Sequence, residues 1–183
     1  ITLTILVIGL GFFVKNKDYV KLHIDVPSRE NYRMSETDRQ QAMNRVAAIA
    51  VFALLAGVSA CRIAVGNDYW GYREQFNLIM QNRHVSYEPG FNLVVWVLQS
   101  LFGYDCYFPV FAFFSIATSF FFVKAACDQG EWFGATVFLL MTGGYYYSSL
   151  NSVRYYFVLA IAMYAMKYVL RRQYGVFMAW IVF

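Results

Sequence analysis

From Val46 to Val65 the chain carries a single charge, Arg62, and this stretch has about the 20 residues that a helix needs to cross a hydrocarbon core of roughly 30 Å. Comparable runs extend over Ile1 to Val14, Tyr107 to Val123, Trp132 to Leu150, Tyr155 to Leu170, and onward from near Val176. Lipid offers backbone N–H and C=O groups no partners, so segments of this kind must satisfy them internally, as helices do. The expectation is an all-α, polytopic helical membrane protein with about five to six spans. Composition agrees: 60% of the 183 residues are hydrophobic and 14% charged, more apolar than ordinary soluble domains. The opening run lacks a small-residue cleavage site and is followed by Lys15 and Lys17, which suits a span and not a signal peptide. Because Ile1 and Phe183 both fall inside apolar runs, residues 1–183 read as one incomplete membrane domain, truncated at both ends.

Charge sets the orientation. Lys15, Lys17, Lys21, Arg29, Arg33, Arg39 and Arg45 make residues 15–45 a cytoplasmic loop by the positive-inside rule, which leaves residues 66–90 extracytoplasmic. Within the first loop, Ser35 with Asp38 and Thr37 with Gln40 fit capping boxes, so a polar helical turn or two should precede the span. Within the second, Asp68, Tyr72, Phe76 and Ile79 recur at helical spacing with Tyr69 and Met80, opposite Arg73, Glu74 and Gln75. That pattern suits a helix lying in the headgroup plane, anchored by Trp70 and the tyrosines. Phe91 to Phe102 has only about a dozen apolar residues, the length of a re-entrant or short spanning helix. The re-entrant reading is preferred because it puts Lys124, Arg171 and Arg172 with the first loop and brings Asn151 to Arg154 outside, beside Asp68.

Several function classes drop out. The net charge of +4 forms no dense basic cluster interleaved with stacking aromatics, so no nucleic-acid partner is expected. Cys61, Cys106 and Cys127 are odd in number and lack CxxC spacing, and His23 and His84 are isolated, so neither a disulfide framework nor a metal or other cofactor is indicated.

The ionisable residues at the outer surface are the candidate site. An intramembrane charge is by default a functional hypothesis, although Arg62, near the end of its span, could also snorkel to the headgroups. Arg154 interrupts the apolar stretch from Trp132 to Leu170, with Asn151 one turn away, among Tyr145, Tyr146, Tyr147, Tyr155 and Tyr156. Two guanidinium forks at one membrane face suit a lipid diphosphate, whose oxygens they pair bidentately. Asp68 is either the N-cap of the in-plane helix or a reacting carboxylate. Glu88, before Pro89-Gly90, is a solvated loop carboxylate or a second acid or base. Asn92, Trp96, Gln99 and Gly103 share a helical face that could wall a wet cavity. Gly143-Gly144 has no P-loop spacing and reads as a site of close helix packing.

Arg62 to Tyr72, Glu88-Pro89-Gly90-Phe91-Asn92 and Asn151-Ser152-Val153-Arg154-Tyr155 together resemble the EpsG family of bacterial membrane proteins, which is similar to Wzy-type polysaccharide polymerases. The recurring pattern of that family covers most of the chain from Arg62 to Arg172, with Asn67 where a threonine-like residue often sits. The resemblance implies a glycosyltransferase or polysaccharide polymerase of exopolysaccharide biosynthesis. It would join polyprenyl-diphosphate-linked saccharide units at the outer face of the bacterial cytoplasmic membrane, alongside other polysaccharide assembly proteins. Asp68 would then be the general base or orient the acceptor, and Arg62 and Arg154 would stabilise the leaving diphosphate. Tyr69, Trp70, Tyr72 and Tyr155 would stack on sugar rings or anchor lipid, with Glu88, Asn92 and Asn151 binding substrate. A GT-C-type transferase of single sugars from a polyprenyl-phosphate donor and a non-enzymatic flippase component remain the alternatives.

Overall fold

A computed structural model describes residues 1–14, 27–81, 89–103, 106–128 and 132–182, with the backbone alone over 27–40 and at 182. Glu88, His23, His84, Lys15, Lys17 and Lys21 lie outside the described residues. The elements in chain order are α1 (Thr2–Phe13), α2 (Pro27–Ala60), α3 (Tyr69–Met80), α4 (Pro89–Phe102), α5 (Phe108–Asp128), α6 (Phe133–Thr142), α7 (Tyr145–Ser149), α8 (Val153–Leu170) and α9 (Tyr174–Val182), and no strand occurs among the described residues. Among the described residues three stretches, Gln41–Ala60, Phe108–Asp128 and Val153–Leu170, are long and apolar enough to cross a membrane; α1, α4 and α6 are shorter apolar helices.

The α5 helix is the hub. Its small and apolar residues Phe114, Ser115, Thr118, Ser119, Phe122, Val123, Ala125 and Ala126 are buried, whereas Phe113, Ile116 and Phe120 face outward. An apolar outer face on a helix whose inner face is already packed is a surface for lipid, since acyl chains do not penalise exposed phenylalanine as water does. α5 and α8 run parallel, with Phe114 and Phe121 both meeting Phe157 and Phe121 meeting Tyr164. α2 runs antiparallel to them, placing Phe52 against Phe120 and Arg62 against Phe111. α1 crosses α6 at a pair of glycines. A Cβ on Gly11 would stand 3.2 Å from the Val137 Cβ, and one on Gly134 would stand 3.1 Å from the Gly11 carbonyl oxygen. Small residues let backbones approach, and dispersion then does what the hydrophobic effect does not do between helices in lipid. Two apolar clusters result. One gathers α1, α2, α5, α6, α7 and α8 around Val51, Phe122 and Tyr146. The other joins α3, α4 and the first turns of α5 and α8 around Phe76, Phe91, Phe111 and Val153.

The expected span from Trp132 to Leu150 is corrected: it is two helices. α6 stops at Thr142, whose hydroxyl donates back to the Phe138 carbonyl, and Gly144 turns left-handed at φ 78°. Only glycine enters that region without a Cβ penalty, so Gly143-Gly144 breaks the helix and does not serve as a packing surface. The apolar run from Val46 to Val65 is also shortened, because α2 ends at Ala60 and the chain turns at Ala64 (φ 54°) and Gly66 (φ 92°). At its other end α2 starts at Pro27, so Ser35 and Thr37 lie inside the helix and not at its cap. Proline fits the first turn, where its missing N–H is not needed.

α4 packs on α3 and α5. Phe91, in its first turn, packs on Tyr72 of α3 and Phe114 of α5, and α5 begins near the end of α2. Its buried line is Phe91, Val95 and Gln99. The polar face expected over Asn92, Trp96, Gln99 and Gly103 is therefore split, with Gln99 buried and Trp96 half in the open, because the tight phenylalanine contacts of Phe91 set the rotation of the helix.

A carboxylate and a guanidinium across a shared cavity

The site is built where three chain breaks meet: the end of α2, the start of α3 and the α7–α8 turn. After Ala60 the chain needs a sharp reversal, which Gly66 provides with its positive φ. A Cβ there would lie 2.7 Å from Asn151 Oδ1 and 2.9 Å from its Cα. The backbone of residue 66 is thus pressed directly onto the α7–α8 turn, and Asp68 follows two residues later. The Asp68 N–H donates to Asn151 Oδ1 at 3.3 Å, and Asn151 Nδ2 donates to Asp68 Oδ2 at 3.4 Å.

Asp68 occupies the N-cap position of α3, yet its side chain makes no capping bond. The capping alternative is thereby set aside: its backbone is αR, which turns the carboxylate away from the first N–H groups of the helix and towards Asn151.

Asn67, Asp68, Gly71, Tyr72, Gln75 and Arg154 line a cavity of about 260 Å³. Asp68 and Arg154, 86 positions apart in the sequence, are two of its walls. Tyr72 joins them, its phenolic oxygen accepting the Arg154 N–H at 3.4 Å while its ring packs against Phe76, Phe91 and Phe111. The first turns of α3 present Asp68, Gly71, Tyr72 and Gln75 at i, i+3, i+4 and i+7, one helical stripe. Gln75 and Gly71 were legible from that spacing. The expectation that Gln75 belongs wholly to a polar face opposite Asp68 is corrected, since this residue sits at the border between the two.

Arg62 behaves differently from Arg154. It is 6% exposed and does not line the cavity. One terminal nitrogen donates to the Ser149 carbonyl at 3.2 Å and to the Leu150 carbonyl, and the guanidinium lies 5.5 Å from the Phe111 ring centre. Snorkelling is excluded by that burial. Burial also pushes its proton affinity below the ordinary value, with Tyr146, Tyr72 and Tyr69 acting in the opposite sense; an arginine starts so high that it keeps its charge. Tyr146 secures the same corner, its hydroxyl donating to the Leu55 carbonyl at 3.0 Å and accepting from Ser59 at 3.1 Å.

The other sequence candidates divide. Tyr69 stacks on Phe111, 4.7 Å between centres and 16° between planes, and belongs to the wall behind the cavity. Trp70 and Tyr155, each about three-fifths exposed, do not line it. Asn92 is half-buried on α4, outside the lining, and its Oδ1 has no hydrogen-bond partner among the described residues. Glu88 lies outside the described residues. Among the described residues no group of His, Cys, Asp and Glu has the arrangement of a metal site.

Residues 45–183 match the family model described as the EpsG family. No curated protein and no solved structure matches the chain.

Proposed function

Because the chain belongs to the EpsG family, we propose that it polymerises polysaccharide from polyprenyl-diphosphate-linked oligosaccharide units at the outer face of the bacterial cytoplasmic membrane. The observation that carries this reading is the meeting of Asp68 and Arg154 on one cavity at one end of the bundle. Arg45, Lys124, Lys167 and Arg171 cluster at the opposite end, where Lys167 pairs with Asp128 at 2.8 Å. By the positive-inside rule that basic end is cytoplasmic and the cavity end faces out. On this reading α4 is re-entrant: it starts and finishes at the outer end.

The chemistry needs three things at one place: a base for the acceptor hydroxyl, room for the reacting sugar, and positive charge where the diphosphate departs. Asp68 takes the hydroxyl proton, the freed oxygen bonds to the anomeric carbon, and the bond from that carbon to the diphosphate oxygen breaks. The Arg154 guanidinium lies where the released charge collects, an arrangement worth several kcal/mol in a water-poor site. At about 260 Å³ the cavity is smaller than sites for drug-sized ligands, which run from roughly 300 Å³. It suits the reacting ring alone, with the rest of the saccharide and its lipid lying across the aromatic surface around it.

Polymer made in cells by Asp68→Asn and Arg154→Lys variants tests the assignment. Both should give short chains or none at normal protein level, Arg154→Lys because an ammonium lacks the planar fork. Wild-type chain lengths in either would remove that residue from the site. Transfer of one sugar from a polyprenyl monophosphate donor by the purified protein would replace polymerisation with the GT-C-type activity.

A further inference from the structure

The two arginines that sequence treats as a pair have different surroundings, and the difference assigns Arg62 and Asn151 a shared task. α7 is a five-residue helix, Tyr145–Ser149, too short to hold its own end in place. The last carbonyls of any helix lack intrahelical donors. Here those of Ser149 and Leu150 take Arg62, which follows the end of α2 beside them. The same turn is pressed by Gly66, whose absent Cβ would stand 3.1 Å from the Leu150 oxygen. The next residue, Asn151, holds Asp68 by both its backbone N–H and its carboxylate. Arg62 thus sits one step behind Asn151, and Asn151 one step behind the carboxylate on the cavity.

We propose that Arg62 and Asn151 are positioning residues: Arg62 braces the α7–α8 turn, the turn presents Asn151, and Asn151 aims Asp68 into the cavity, so that Arg154 alone of the two arginines meets the phosphate groups of the substrate. This rests on the polymerase reading for what the carboxylate does, but not for the brace itself. One nitrogen of the Arg62 guanidinium is spent on two carbonyls, the group lies against Phe111, and it takes no part in the lining of the cavity. Asn151, being neutral, can donate to Asp68 and accept from its backbone at once, which neither aspartate nor leucine can do.

Two measurements on the full-length protein in nanodiscs decide it. The first uses no substrate: amide hydrogen exchange over residues 149–152 should speed up in Arg62→Lys and stay as in wild type in Arg154→Lys. The second uses polyprenyl-diphosphate-linked saccharide as probe. Arg62→Lys and Asn151→Ala should lower kcat by about tenfold to a hundredfold, as small misplacements of a reacting group do, with KM for the lipid within about twofold of wild type, since uniform binding is untouched. Arg154→Lys should raise that KM. Unchanged exchange in Arg62→Lys, or a rise in KM matching that of Arg154→Lys, overturns the assignment. Asn151→Ala, which leaves no buried charge unpaired, tests the Asn151–Asp68 step by itself: wild-type kcat in that variant overturns it whether or not Arg62→Lys folds. If wild-type protein turns over no lipid-linked saccharide, the polymerase reading fails, and the exchange comparison still decides whether Arg62 braces the turn.

Discussion

At the scale of single residues, Gly66 is the position with least freedom. Its φ of 92° and the 2.7 Å approach of Asn151 Oδ1 to its missing Cβ are separate constraints. Gly66→Ala therefore meets both a backbone penalty of about 1–2 kcal/mol and a clash that parts Asp68 from Asn151. Lost polymerisation with protein still in the membrane is the expected result, read as polymer yield per protein on immunoblots. Tyr72→Phe removes the acceptor of the Arg154 N–H but keeps the ring on Phe76 and Phe91. Thermal stability in detergent should change by the roughly 0.6 kcal/mol typical of a hydrogen bond in a membrane protein, whereas activity should fall further if that contact orients Arg154.

At the scale of elements, the chain breaks on either side of α7 do two jobs that one continuous helix could not. The turn after α7 leaves the Ser149 and Leu150 carbonyls to Arg62, and the break before it turns Tyr146 into the corner where Ser59 and Leu55 receive it. Gly144→Ala should resist the left-handed turn and pull α7 towards continuation of α6, weakening both contacts; a lowered melting temperature for Gly144→Ala beside an unchanged one for the exposed, unencumbered Gly175→Ala would bear this out. The crossing of α1 on α6 offers a separate test. Gly134→Leu drives a side chain into Phe12 and the Gly11 backbone, which should cost about 1–3 kcal/mol as overpacking does, measured as loss of folded protein in graded denaturing detergent.

At the scale of the whole molecule, the antiparallel α2 and the parallel α5 and α8 sort the charges into two ends. Cys61 follows the end of α2 at the cavity end of the bundle and Cys127 precedes Asp128, the partner of Lys167, at the other end, both exposed. With the remaining cysteines replaced by serine, a membrane-impermeant maleimide applied to whole cells should label Cys61 and should reach Cys127 only after permeabilisation. The reverse labelling would invert the orientation and put the cavity in the cytosol, where the proposed outer-face polymerisation could not occur.

Much of this was written in the chain before folding. Apolar runs of membrane length force helices, because lipid leaves backbone groups no other partner, and Tyr72, Phe76 and Ile79 of the stripe that starts at Asp68 bury along α3 as its spacing requires. The motif pieces also lead to the family without coordinates. Other features were not readable. Nothing local tells which of Arg62 and Arg154 faces substrate, since each is a lone arginine within an apolar stretch. Which one faces a cavity and which one grips carbonyls depends on where α7, Phe111 and Gly66 arrive, and those come from distant parts of the chain. The break at Gly143-Gly144 was visible as glycines but not as a break, because hydropathy continues across it. Local pattern sets which segments become helices and which faces are apolar; the pairing of charges across the site depends on contacts between residues more than eighty positions apart, and these exist only once the helices have packed.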